Sequence, residues 1–212
     1  MSSSISDLHH AAVNGHLDEV RNILADGVDV DSRRGNQESA LQLVVGSCRN
    51  NRVPMIALLL SKGANVNAKG YHDRSALMEA VVRLAHETST VALNPASKFE
   101  SGSEGEAYFG ELRKSIPQSV AVVQLLLDEK ADPNNADTNG MTPLHEAAAG
   151  GLSTVVRWLI DAGAGVKARN NRGETPLAIA KSFQHHKVIE ILKAPASSTE
   201  PDRPSWWHRI FG

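Results

Sequence analysis

At 212 residues and 22.8 kDa the chain has room for one folded domain or two small ones. Its 22 Lys+Arg against 24 Asp+Glu leave a net charge of −2, too even a balance to gather nucleic acid or phospholipid, so no nucleic-acid partner is expected. The one cysteine, Cys48, excludes an internal disulfide and any metal site built on several thiolates, and with 4% aromatic residues the core must be filled by Leu, Val, Ile and Ala.

The N-terminal stretch Met1 to Asp7 has neither the basic start nor the apolar run of a signal peptide, and the longest strongly apolar run, Met55 to Leu60, is too short to cross a bilayer. A cytoplasmic and/or nuclear location is the resulting expectation. Along the chain, three markers recur in step. Leucines open apolar-periodic segments at Leu8, Leu41, Leu77, Leu144 and Leu177, with spacings of 33, 36, 67 and 33. The pairs Ile23-Leu24, Leu59-Leu60, Leu126-Leu127, Leu159-Ile160 and Ile191-Leu192 keep the same pace, as do Gly27-Val28, Gly63-Ala64, Lys130-Ala131 and Gly163-Ala164. Five repeated units follow.

Each unit reads as two short helices. In the best-kept one, Thr142 supplies an N-cap oxygen and Pro143 sits where its missing N–H costs nothing, so a first helix starts there. It is short and Ala-rich, and Gly150-Gly151 ends it. A second helix from about Ser153 carries Val155, Val156, Leu159 and Ile160 at helical spacing until Gly163 stops it. One such pair cannot bury its apolar face alone, so the units must stack.

The segment Asp137 to Ala168 resembles the ankyrin repeat, most specifically in Thr142-Pro143-Leu144-His145, echoed by Thr175-Pro176-Leu177, Ser39-Ala40-Leu41-Gln42 and Ser75-Ala76-Leu77-Met78, and by Leu8-His9 and Gly15-His16 in the first unit. The resemblance implies an all-α ankyrin-repeat solenoid of five helix-turn-helix units. Residues 1–193 form the repeat domain, with units at about 5–34, 35–69, 70–136, 137–169 and 170–193, and residues 194–212 form a tail. It also implies that His9 and His145 hydrogen-bond turn backbone.

Two units depart from the period. The second is three residues longer, within Gly46 to Pro54, where Arg49 and Arg52 flank Cys48 and would favour its thiolate, although a plain longer loop is the simpler reading. The third carries a long insertion, about residues 87–116, between its two helices. Asn94 to Gly105 is loop-like in composition. The first helix is expected to run past Leu84, a mobile stretch to follow at 94–104, and a short helix to form around Glu106 to Arg113.

No nucleophile elbow, phosphate-cradling loop or His pair at ligand spacing is present, so no catalytic, cofactor or metal site is expected; an enzyme or metal protein using His72, His86 or His185 is the remote alternative. The resemblance places a protein partner along the concave side, formed by turn tips and first-helix flanks. In those slots stand Tyr71, His72, Arg74, Arg83, Asn139, Met141 and Arg172, with Tyr71, Arg74 and Met141 at the centre. The reading is a monomeric, non-enzymatic protein-binding adaptor or scaffold.

After Ala194 a Pro/Ser-rich linker leads to Ser205-Trp-Trp-His-Arg-Ile-Phe-Gly212. Trp206, Trp207, Ile210 and Phe211 are four large apolar groups in six residues and need cover, from the protein itself, a partner groove or a membrane interface. The last two options make the chain a recruiter to a membrane or organelle. With only Arg203 and Arg209 basic after Lys193, the tail alone is too weakly charged for stable anchoring.

Overall fold

The computed structural model describes residues 4–34, 38–47, 51–93 and 103–194, with the backbone alone at 34, 91–93 and 103–115. Ten helices in five consecutive pairs make up these residues: α1 (Ile5–Asn14) with α2 (Leu17–Ala25), α3 (Ala40–Ser47) with α4 (Arg52–Ser61), α5 (Ala76–Leu93) with α6 (Ser103–Asp128), α7 (Pro143–Ala149) with α8 (Ser153–Asp161), and α9 (Pro176–Ser182) with α10 (His186–Lys193). The first helices stack in one row and the second helices in another, α2 on α4, α4 on α6, α6 on α8 and α8 on α10. Between the pairs the chain turns through hairpins. The first of these contains two two-residue strands, β1 (Arg33–Arg34) and β2 (Glu38–Ser39), paired antiparallel.

Local chemistry sets each helix start. Ser4 and Asp7 form a reciprocal capping box, with Asp7 N donating to Ser4 Oγ at 3.2 Å and Ser4 N to Asp7 Oδ2 at 2.8 Å. Ser75 and Thr175 accept from Met78 N and Ala178 N at 3.3 and 3.2 Å. Thr142 has a different partner. Its N–H donates to His145 Nδ1 at 3.1 Å, while the other side of that ring, Nε2, donates to the Glu174 carbonyl of the next unit at 3.1 Å. The expected ring-to-turn bond also exists at His9, whose Nε2 meets the Ser32 carbonyl at 3.1 Å. Gln42 performs the same task in the second unit, reaching the carbonyls of Ala68 at 3.0 Å and Arg74 at 3.1 Å.

The core is one continuous cluster running through the stack. The marker leucines Leu8, Leu41, Leu77 and Leu144 are buried at its centre, whereas Leu177, in the last helix pair among the described residues, is half-buried. Fully burying such side chains stabilises by about 1.5 to 3 kcal/mol each, and here each layer supplies its neighbour's cover.

In the third unit the insertion lies between the helices, and α5 does run on past Leu84, to Leu93. The structure corrects the short helix expected at Glu106 to Arg113. That segment belongs to α6, which continues from Ser103 to Asp128 straight through Pro117. Proline in a helix interior loses one hydrogen bond but already has a helical φ, and packing of α6 along α5 and α4 carries the helix across it. Most of the expected mobile stretch, residues 94–102, lies outside the described residues, as do Cys48 and the whole tail from residue 195, including Trp206, Trp207, Ile210 and Phe211.

Candidate partner-binding surface

The hairpin tips that precede units three, four and five form a short ladder on the first-helix side. Thr138 N donates to the His72 carbonyl at 3.0 Å, and Asn171 N to the Asn139 carbonyl at 2.9 Å. Two of the tips are built alike. In the fourth, Asp137 Oδ1 accepts from Asn139 N at 2.8 Å and Met141 N at 2.9 Å, and in the fifth, Asn170 Oδ1 accepts from Arg172 N and Glu174 N at 3.0 and 2.9 Å. Gly140 and Gly173 then take the left-handed conformation that closes each turn, at φ 72° and 76°.

The third tip breaks this pattern. Gly70 stands where the other tips have their capping side chain, because the Gln42 amide lies against it; a Cβ there would come within 2.5 Å of Gln42 Nε2. Without the cap, the turn closes through two successive left-handed residues that are not glycine, His72 at φ 55° and Asp73 at φ 58°. Such positions hold of order 1 kcal/mol of strain each and collect at functional segments. Just before them Tyr71 is 61% exposed, the largest exposed aromatic fraction among the described residues, with the His72 ring edge-on at 3.9 Å.

Behind the tip, Arg74 is half-exposed between Glu79, 3.5 Å away, and buried Asp137, 4.0 Å away. Glu146 completes this neighbourhood. Burial pushes its carboxyl above the ordinary value, Arg74 pulls it back, and the charges of Asp137 and Glu79 raise it further. Met141 is half-buried with its sulfur 3.3 Å from Asn170 Nδ2, while Asn139 and Arg172 are exposed on the two neighbouring tips. Tyr71, His72, Arg74, Asn139, Met141 and Arg172 therefore share one run of consecutive tips. Arg83 stands deeper, on α5, with Nε donating to Glu87 Oε1 at 3.0 Å and a second nitrogen to the Gly46 carbonyl, so it ties α5 to α3 behind the tips.

The three histidines of the metal or enzyme reading are on separate elements. His72 is on the third tip, His86 is exposed on α5, and His185 precedes α10 and binds the Ala149 carbonyl at 2.9 Å. Among the described residues no group of three His, Cys, Asp or Glu side chains is placed to hold a metal ion.

Sequence reasoning passed over two polar systems. One is a ladder on the turns: Asp31 accepts from Asn65 N at 3.0 Å, Asn67 from Asp132 N at 2.7 Å, and Asn134 from Gly165 N at 2.8 Å, each linking one unit to the next. Its signal was legible as Asp29-x-Asp31, Asn65-x-Asn67 and Asp132-x-Asn134 at equal distance from the helix-ending Gly or Lys. The other is a buried chain from Arg83 through Glu87 and Ser119 to Arg52. Ser119 Oγ donates to Glu87 Oε2 at 2.7 Å and accepts from Arg52 Nη1 at 2.9 Å. It joins residues 67 positions apart and has no local signature.

Comparison with known proteins agrees with this architecture. A family model described as ankyrin repeats (3 copies) matches residues 8–93 and 116–202, skipping most of the insertion. The chain is 45% identical over 73 residues to the ankyrin repeat and KH domain-containing protein 1 of Homo sapiens, which covers 34% of this chain and 3% of that protein. It is 28% identical over 170 residues to the mitochondrial disaggregase of Bos taurus, covering 78% and 25% of the two chains. With the palmitoyltransferase ZDHHC13 of Homo sapiens it shares 24% identity over 208 residues, 96% of this chain and 33% of that one. The chain thus spans a third or less of the length of each of these relatives. No helix among the described residues is long and apolar enough to cross a membrane. With the stacked helix pairs, the ring-to-turn bonds of His9 and His145 and the family match all on the same units, the chain belongs to the ankyrin repeat family.

Proposed function

We propose that this protein is a non-enzymatic adaptor or scaffold that binds a protein partner on its concave face, centred on Tyr71, Arg74 and Met141 and bordered by His72, Asn139 and Arg172. Ankyrin repeats generally mediate protein–protein interaction, and the family match covers most of the chain. The observation that carries the assignment to this part of the face is the third tip, where an exposed tyrosine is held up by two left-handed residues beside a half-exposed arginine. Tyr and Arg are the residue types that most often dominate interface energies, and the small polar tips on either side suit a rim. Arg83 contributes by holding α5 to α3 under that face. The partner reads the folded surface of a monomer, in the cytoplasm or nucleus.

The test is affinity capture on full-length protein followed by a titration of the captured partner against the Tyr71→Ala, Arg74→Ala, Met141→Ala triple variant, with circular dichroism as the folding control. A hot spot costs at least about 2 kcal/mol, roughly a thirtyfold loss of affinity. An unchanged affinity in a folded variant assigns the partner to another surface.

A further inference from the structure

The second-helix side of the solenoid, opposite the tips, carries a groove of about 470 Å³ between the start of α4 and the middle of α6. One wall is Asn51 to Pro54, the other Pro117, Gln118 and Ala121. It is mostly apolar, with a proline on each wall, and its size suits two aromatic side chains. The walls are fixed relative to each other. Arg52, itself almost wholly buried, donates to Ser119 across the groove at 2.9 Å, and Ser119 is held in turn by Glu87 of α5. A preformed apolar groove needs little reorganisation to take a guest.

We propose that the occupant is this chain's own C-terminal segment, Trp206 to Phe211, docked intramolecularly in the α4–α6 groove. Eighteen residues follow Ala194, and the two indoles come after a linker that contains Pro195, Pro201 and Pro204. Between α10 and α4 lie three steps across neighbouring helices, about 30 Å at ~10 Å each. The 12 residue steps from Ala194 to Trp206 cover about 37 Å in the extended conformation that proline favours, so the segment reaches without slack to spare. Phe183 at the last unit is also exposed and is nearer in the chain, but its ring already stacks on His185. Docking on α4 and α6 leaves the concave face open for a partner while covering the two indoles.

The experiment places a bimane fluorophore, which tryptophan quenches on contact, at Gln118→Cys in a Cys48→Ser background of the full chain. Gln118 is exposed, so the label does not disturb the core, and circular dichroism checks this. Compared with the same labelled protein carrying Trp206→Ala and Trp207→Ala, the emission is expected to be about twofold lower, at every protein concentration. A label at Phe183→Cys should show no such difference. Equal emission with and without the tail tryptophans overturns the proposal. So does quenching at position 183 alone, quenching that grows with protein concentration and so reports a second copy, or a tail emission that shifts to the blue only when phosphatidylcholine–phosphatidylserine vesicles are added.

Discussion

The third and fourth hairpin tips do the same job with different chemistry. In the fourth, buried Asp137 gathers two backbone N–H groups and Gly140 closes the turn, so every conformational demand is met by a residue suited to it. In the third, Gly70 has given up the cap to make room for the Gln42 amide, and His72 and Asp73 take the left-handed region instead. Both tips are anchored in the same stack, and Thr138 N bridges them. The difference teaches that the stack tolerates a strained turn where its neighbours are well made, and that the strain lies beside the exposed Tyr71.

Four changes sharpen this contrast. Leu144→Ala removes a fully buried side chain from the layer under the fourth tip and should cost about 2 to 5 kcal/mol in urea unfolding. A loss below about 1 kcal/mol would show that the repeat register is wrong. Asp137→Ala leaves two N–H groups without their acceptor and removes a neighbour of Arg74, and it should cost about 1 to 3 kcal/mol by the same measurement.

Lowering the pH should weaken the same unit through His145. Burial holds its pKa below the ordinary 6.5, outweighing the raising effects of its bonds to the Glu174 and Ala168 backbone and of the Glu174 and Asp137 charges. Its Nδ1 accepts from Thr142 N, so the folded state needs the neutral ring. Below pH 6.5 the unfolded chain takes up a proton that the folded chain refuses, and stability falls from there through the lower folded value, being fully present above 6.5. His145→Gln, which copies the Gln42 of the same slot in the second unit, should flatten that slope; an unchanged pH profile would assign it to other groups. The smallest effect is at the third tip. Asp73→Gly exchanges a left-handed aspartate for the residue used at positions 140 and 173 and should stabilise by about 0.5 kcal/mol, the relieved strain being partly offset by the freer unfolded chain. A destabilised variant would mean that the third turn is not strained.

Much of the fold was legible in the amino-acid order alone. The leucine, pair and glycine markers gave the same period because each unit must present the same apolar face to the next, and Ser or Thr before each first helix is a local requirement of its orphan N–H groups. Pro117 shows where local reasoning stopped. The composition gave a short helix at Glu106 to Arg113 and an insertion ending at about residue 116, yet α6 runs on through Pro117, with α4 and α5 packed along it. Tyr71 and Arg74 could be assigned to the tip by slot alone, but not the reason that tip differs, since Gly70 is shaped by Gln42, 28 positions earlier. Arg83 stood among the candidate partner-binding residues by slot, and its bond to the Gly46 carbonyl is visible only when α3 and α5 are side by side.

The amino-acid sequence by itself determined the repeat, the starts of the first helices and the even balance of charge, because these follow from periodicity, capping and composition acting within a few residues. Only the tertiary structure decided which polar groups meet across units: the Asp31, Asn67 and Asn134 ladder, the Arg52–Ser119–Glu87–Arg83 chain and the groove whose walls that chain fixes. Apart from Arg83 and Glu87, four positions apart on α5, the partners lie roughly 30 to 70 positions apart, and no short-range rule specifies a hydrogen bond between groups that stacking alone brings together.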